Sequence, residues 1–402
     1  MFRAYKYRLY PNNTQKVLLA KTFGCVRYFW NLQVETFNSY DKETNPKPMY
    51  KSVKELRNEL EWMKEVSSAA IGQKNNDFKE YRQQKFNQSR KGKTVGRPTF
   101  KRKSNKQSYR LPNQKFELKG SKIRLEKIGW VTLVIDRPTP EDAKFMSVTI
   151  SKNPSGQYYA SVLVEQEIKH FDKTNKEVGI DVGLKVFFKR SDGETVANPR
   201  YFRESQAELA KMQRILSRKV KGSNRWKSTK RKIARIYNRI ANQRAWFLQT
   251  ESTKLVKEFD VIRIEDLNVA GLSKRCKPIQ DETGRYLPNG QSAKSGLNKS
   301  ITDASWGLFF MMLDYKCKWY GKELIKIDRF YASSKTCSGC GWVDKNMTLQ
   351  KRTFVCPDCG LILDRDENAA INIQAWGVDH AIRTQSNETM DCVEASMIIS
   401  NS

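Results

Sequence analysis

Three carboxylates stand where charge is expensive. Asp181 lies inside the apolar run "VGIDVGL", where a buried charge is costly unless it is paired or bound to a cation. Glu265 closes a second apolar run, "VIRIE", and Asp366 opens "ENAAINI", which reads as a helix whose Ala369 and Ala370 allow close packing. Two acids at strand ends and a third at a helix start fit a two-metal site of the RNase H type. There, a pair of Mg2+ ions shares hard oxygen ligands to activate water and stabilise the leaving oxygen of a phosphodiester. Asp364 competes for the third place; Asp366 is preferred because it lies next to the helix. Glu367, Asp192 and Asp266 read as bystanders: a first-turn acid, a turn residue and the neighbour of a ligand.

Four of the eight cysteines, Cys337, Cys340, Cys356 and Cys359, form two Cys-x-x-Cys clips separated by fifteen residues. Two short knuckles of soft ligands suit one tetrahedral Zn2+, and with all four positions filled by thiolate no open site remains, so this zinc is structural. Gly341 and Gly360 follow each clip, where a knuckle turn needs a permissive residue. Cys25, Cys276, Cys317 and Cys392 are scattered without partner spacing and read as packing or surface thiols. His170 and His380 lie away from every motif.

The charge balance names the partner. Lys and Arg total 74 against 43 acids, a formal net charge of +31, with 11% aromatic residues. Such an excess repels itself unless a polyanion neutralises it, and nucleic acid is the polyanion that basic and aromatic residues together suit. From Lys211 to Arg244 there are thirteen basic residues and no acid. A solvated charged helix would carry acidic partners at i+4. Their absence leaves Arg214, Arg218, Lys219, Lys221, Arg225, Lys227, Lys230, Arg231, Arg235 and Arg239 for phosphates, over an inner stripe of Ile233, Ile236 and Ile240. The loop "SRKGKTVGRPTFKRKSNKQ", 89–107, offers Lys91, Lys93, Arg97, Lys101, Arg102 and Lys103 in the same sense. No apolar run approaches the roughly 18 residues a membrane span needs. The basic start "MFRAYKYRLY" lacks the apolar core of a signal peptide, so a prokaryotic cytoplasmic protein, nucleoid-associated when bound to DNA, is expected. No phosphate-binding Gly-x4-Gly-Lys loop and no serine-hydrolase elbow occur.

The elements that must position these residues follow from the pattern. "FRAYKYRLY" alternates as a strand, and a helical stretch runs from about 12 to 86 before strands resume at 115–137 and 145–168, with a hairpin turn at Asn153 to Gly156. A helical block is thus inserted into a β-rich module. A second module starts near residue 176 with two apolar strands joined at Ser191 to Gly193. A basic helical hairpin over about 203–257, broken near Gly222, comes next. Then come a buried strand at Glu265, a loop of Gly, Ser and Lys over 270–298, a helix over 303–324, a strand, the cysteine segment and a last helix. Beyond residue 377 the pattern is polar and reads as a disordered tail, 377–402.

"YRLYPNNTQ", "GIDVGLK", "IRIEDLNVAGL", "SSKTCSGCG" and "CPDCGLILDRDENAAINI", in that order over about residues 2–376, resemble TnpB, the insertion-sequence nucleases related to type V CRISPR effectors. The resemblance implies an α+β multidomain fold. A wedge-like N-terminal β-barrel (1–10 and 108–172) carries an inserted helical recognition domain (11–107). An RNase H-like (RuvC) nuclease domain (173–332 and 363–376) carries an inserted zinc ribbon (333–362). It also implies that Asp181, Glu265 and Asp366 hold magnesium, two ions per site, and that the protein, a monomer in its ribonucleoprotein, binds a guide RNA. It would cut double-stranded DNA beside a short adjacent motif, with reading of that motif expected around 62–76 and 108–115. "QRAWFLQTESTKL" and "KVFFKRSDG" depart from the family pattern without touching the acids. The rival readings are a miniature CRISPR effector, a non-catalytic zinc-stapled regulator, and a strand-exchanging transposase.

Overall fold

The computed structural model describes residues 1–39, 49–94, 96–348 and 350–377; His380, Cys392 and the expected disordered tail from 378 on lie outside them. The chain divides into two compact units, one of residues 1–167 with 219–235, the other of 168–218 with the residues from 236 on.

The first unit opens with β1 (Phe2–Tyr10) and α1 (Asn13–Asn38), followed by α2 (Val53–Glu59) and α3 (Ser68–Arg90). Asn12 caps α1 by accepting from the Gln15 amide while the Gln15 side chain accepts in return, so "PNNTQ" is a helix start. Strands β2 (Gln107–Pro112), β3 (Phe116–Lys119), β4 (Lys122–Leu125), β5 (Gly129–Val134), β6 (Lys144–Lys152) and β7 (Tyr158–Glu165) complete it. They join β1 in one antiparallel sheet of order β2-β6-β7-β1-β5-β4-β3. The edges β2 and β3 are consecutive in the chain, linked by a single 3-10 turn, Asn113–Lys115. Tyr5, Tyr7 and Leu9 alternate inward from β1 and share a core with Leu19, Phe23 and Phe29 of α1.

In the second unit the stretch read as two strands is three: β8 (Glu177–Val182), β9 (Val186–Arg190) and β10 (Thr195–Ala197). The missed turn, Gly183 to Lys185, sits within an apolar run, and its Gly183 amide bonds the Phe187 carbonyl at 3.1 Å. Helices α4 (Tyr201–Ser217) and α5 (Asn224–Glu258) form the basic hairpin, whose bend holds Gly222 at φ 87°; the bend and the first part of α5, to Arg235, belong to the first unit. After β11 (Val261–Glu265) come the short α6 (Val269–Leu272) and a small hairpin of β12 (Ile279–Gln280) and β13 (Tyr286–Leu287). The expected helix over 303–324 is α8 (Trp306–Tyr320). Before it, α7 (Gln291–Ala304) takes up the end of the stretch expected as a loop over 270–298, and Ser305, in the left-handed region at φ 58°, parts the two. The chain closes with β14 (Glu323–Ile327), the cysteine segment containing β15 (Thr353–Val355) and β16 (Ile362–Asp364), and α9 (Arg365–Ala375).

The sheet order is β10-β9-β8-β11-β14. β10, β9 and β8 form an antiparallel meander, and β11 runs parallel to both β8 and β14. One face carries Val178, Ile180, Ile262 and Ile264 into a core with Leu248 and Leu255 of α5 and Phe309 and Leu313 of α8. Asp260 pins the entry to β8: its carboxylate accepts from the Lys322 ammonium, from the Asn175 amide at 2.7 Å and from the Thr174 amide at 2.9 Å. The Lys322 bond first, then the two amides, hold its carboxyl down at about 2. A depressed carboxyl contributes stability above the unfolded value of ~3.9 and loses it as pH falls through the folded value. Thermal melts between those limits should therefore show Asp260→Asn flattening the acid loss seen in the parent; unchanged pH dependence would contradict this.

Candidate active site and zinc ribbon

Alternation in β8 puts Gly179 and Asp181 on the face opposite Val178 and Ile180, and in β11 it does the same for Arg263 and Glu265. Helix α9 covers that second face. It lies so close to β8 that a Cβ on Gly179 would overlap the Ala370 carbonyl and the Gln374 amide. The three carboxylates predicted as ligands thus face one region: Asp181 near the end of β8, Glu265 at the end of the adjacent β11, and Asp366 in the first turn of α9. Burial raises the Asp181 carboxyl well above the usual carboxylate range, and the Glu265 and Asp366 charges raise it further, while Arg365 opposes them.

The acids are neighbours without yet forming a closed ligand set. Asp366 is drawn aside by Arg365, whose Nη2 donates to Oδ1 at 2.8 Å, and faces Arg352 at 3.7 Å. The Ser333 hydroxyl donates to Glu265 at 2.6 Å. Asp364 is the N-cap of α9, accepting from the Asp366 and Glu367 amides at 3.0 and 3.2 Å. That employment separates it from Asp366. The bystander acids pair elsewhere: Glu367 with Lys189 at 3.0 Å, Asp266 with Arg329, and Asp192 with Arg190. Lys189 is the cross-strand partner of Asp181, so part of "KVFFKRSDG" lies beside the acids.

Two functional residues escape a reading of the sequence alone. Gly179 is the floor on which α9 rests, and Lys189 is the nearby cation. Placing Gly179→Ala in so tight a contact should cost about 1–3 kcal/mol and push Asp366 away from Asp181. A melt matching the parent's, with activity retained, would refute the contact.

The cysteines form the group of His, Cys, Asp and Glu ligand atoms that all lie within 4.8 Å of one another among the described residues. Cys337 and Cys359 sulfurs are 3.6 Å apart, and those of Cys340 and Cys356 are 3.5 Å apart. Zn–S bonds of about 2.3 Å in a tetrahedron place sulfurs roughly 3.8 Å apart, so the cluster fits a structural zinc. The two knuckles repeat one geometry. Gly341 and Gly360, at φ 82° and 74°, donate to the Cys337 and Cys356 carbonyls. The Cys337 and Cys356 amides donate to the Trp342 and Leu361 carbonyls. Strand β16 runs straight from the second knuckle into α9, so the ribbon ends where Asp366 begins.

Of the basic residues proposed for phosphate, Lys91, Lys93, Arg97, Arg102, Lys103, Arg214, Arg218, Lys221, Arg225, Lys227, Lys230, Arg231, Arg235 and Arg239 are exposed. Arg239 alone among them forms an ion pair among the described residues, with Glu208 of α4 at 2.6 Å. Lys219 is half-buried and donates to Thr229. Lys101 is exposed as a residue, yet its Nζ lies 4.0 Å over the Trp30 ring. Burial there and the nearby Lys74 charge lower its ammonium to about 8, a poor arrangement for gripping phosphate.

The site and fold define an α/β protein with an acid cluster on a mixed sheet and a four-cysteine ribbon fused to the helix that completes it. The family pattern described as "Probable transposase" matches residues 161–275, and "Cas12f1-like, TNB domain" matches 306–373. A third, described as "Helix-turn-helix domain", matches 1–40, where the described residues form β1 and the single helix α1. A Streptomyces pristinaespiralis protein named "Putative RNA-guided DNA endonuclease" is 36% identical, covering 94% of this chain and 89% of its own. "Putative RNA-guided DNA endonuclease InsQ" of Escherichia coli (strain K12) is 31% identical over 94% and 93%. The chain of a structure titled "Cryo-EM structure of the Cas12f1-sgRNA-target DNA complex" superposes with a TM-score of 0.49 at 13% identity, over 93% of this chain and 98% of that one. That agreement is too loose to carry an argument. The chain belongs to the TnpB family. No helix among the described residues is long and apolar enough to cross a membrane.

Proposed function

We propose that this protein is an RNA-guided, magnesium-dependent DNA endonuclease that cuts double-stranded DNA beside a short adjacent motif. The observation that carries the reading is the convergence of Asp181, Glu265 and, from α9, Asp366 on one side of the sheet, with Asp181 resisting ionisation first through burial and then through the charges of the other two. The meander-plus-parallel strand order supports reading residues 173–332 and 363–376 as an RNase H-like (RuvC) domain interrupted by the ribbon 333–362. The seven-stranded antiparallel sheet is read as the wedge-like barrel, 1–10 and 108–172, and 11–107 as the helical recognition domain.

Asp181, Glu265 and Asp366 would hold the divalent cations, hard oxygen donors for hard ions. Bound there, the ions supply charge that activates water and stabilises the leaving oxygen. The residues do the positioning. Arg365 and Arg352 balance Asp366 in the free protein and must yield it when the site closes. Gly179 lets α9 approach, and the ribbon fixes where α9 starts. Exposed cations of the α4–α5 hairpin and of the 89–107 loop would grip phosphates without reading bases. The names of the Streptomyces and Escherichia coli relatives support the same reading. A non-catalytic regulator would have no need for all three acids.

The reading is tested by reconstitution of plasmid cleavage with purified protein, its co-purified RNA and Mg2+. Cleavage should need all three, and efficient site-specific cutting by RNA-free protein would overturn it.

A further inference from the structure

Helix α9 buries two asparagines, Asn368 and Asn372, spaced four residues apart on one of its faces. An amide buried without partners is costly, so the partners of these two disclose their purpose. Asn368 donates to the Thr336 carbonyl at 2.7 Å and accepts from the Ser338 amide at 2.9 Å, bracketing the zinc-knuckle residue Cys337. Asn372 donates to the Thr336 carbonyl at 2.6 Å and to the Ser333 carbonyl at 2.9 Å. Between these anchors the chain is a tight turn, with the Lys335 and Thr336 amides both donating to the Ala332 carbonyl at 3.0 Å. Ser333 is buried, and its hydroxyl reaches the Glu265 carboxylate.

We infer that Ser333, Asn368 and Asn372 are positioning residues that tie the Glu265 carboxylate to the first zinc knuckle through hydrogen bonds. The inference rests on the reading of Glu265 as a metal ligand. A carboxylate that accepts a fixed hydroxyl on one oxygen presents the other in a defined direction, and outer partners of this kind tune the ligands they touch. The asparagines fix the serine by its backbone, and the ribbon fixes the turn that carries it. A zinc held in the ribbon would thereby steady a carboxylate that lies outside the ribbon, at the end of β11.

The test uses full-length protein with its co-purified RNA and Mn2+ as the probe, read by the electron paramagnetic resonance signal of free Mn2+. Ser333→Ala should keep its zinc and bind Mn2+ about 10-fold more weakly, the lower end of what losing an outer partner costs. Ser333→Thr, which keeps the hydroxyl, should restore parental binding. Asn372→Ala should weaken Mn2+ in the same sense, and its effect should not add to that of Ser333→Ala because both act through one hydroxyl. Parental binding by Ser333→Ala, failure of Ser333→Thr to restore it, or additive losses would each overturn the network. Glu265→Gln separates the two readings. If it leaves Mn2+ binding unchanged, the metal-site reading itself fails. If it weakens binding while Ser333→Ala does not, the network alone fails.

Discussion

Replacing Asp181, Glu265 or Asp366 with alanine is expected to abolish DNA cleavage while leaving RNA binding intact. The loss should reach about 10³-fold or more for each, the scale on which removing one member of a catalytic unit acts. The reason is visible in the cluster: three acids crowd one face, and Asp181 is held toward its neutral form by burial and by the other two. On the two-metal reading, divalent cations would answer that crowding, and with one acid missing the remaining pair could not hold both ions between them. RNA binding should survive because these substitutions leave the exposed cations assigned to it untouched. Asp364→Ala is the matched control. It removes the N-cap of α9, at a cost of about 1 kcal/mol, and should keep most of the cleavage. Gel assays of cutting and of RNA binding on the same preparations check all four variants. If Asp366→Ala cut normally and Asp364→Ala were dead, the third ligand would be misassigned.

Cys356→Ser is expected to release zinc and to depress cleavage strongly without touching any acid. Structural zinc sites contribute binding free energies on the order of 10 kcal/mol to the fold that makes them. The ribbon has little else: its buried apolar core is Phe354 with Cys337 and Cys356, flanked by Trp342, Met347 and Leu361. Losing the ion loosens β16, which leads directly into Asp366, and the Thr336 turn that Asn368 grips. Zinc content by elemental analysis and cleavage rate should fall together, as they should in parent protein stripped by a chelator and be restored by added Zn2+. A zinc-free protein with full activity would contradict this account.

The chemistry of the site was legible because it is local. Cysteine spacing announces a tetrahedral site, and an acid closing an apolar strand announces an expensive charge. What escaped is tertiary. Gly179 is one glycine in an apolar run until α9 lies on it. Asn368 and Asn372 look like ordinary polar residues of a helix until their backbone partners, more than thirty residues away, are in place. Ser333 has no sequence mark that says its hydroxyl meets Glu265. Lys101 was grouped with its basic neighbours, yet Trp30, seventy residues back, holds its head. The long-range pairing of β1 with β7 joins Phe2 to Glu165, a register no local pattern could specify. The two-strand reading of 177–197 failed for a related cause: the turn at Gly183 to Lys185 interrupts a run whose hydrophobicity continues through it. Helix α7 reads as loop from its residues because its sequence is mostly polar.

The central claim is that the RNA, and not the protein, chooses the DNA. On the proposed reading the exposed cations hold nucleic-acid backbone, and pairing between guide and DNA supplies the sequence specificity. The direct measurement is to replace only the guide segment of the co-purified RNA and map cuts on a plasmid carrying both the original and the new matching sites, each beside the adjacent motif. Cleavage should move wholly to the site matching the new guide, with the same dependence on Mg2+ and on Asp181. Cutting that stays at the original site, or proceeds without RNA, would contradict the account.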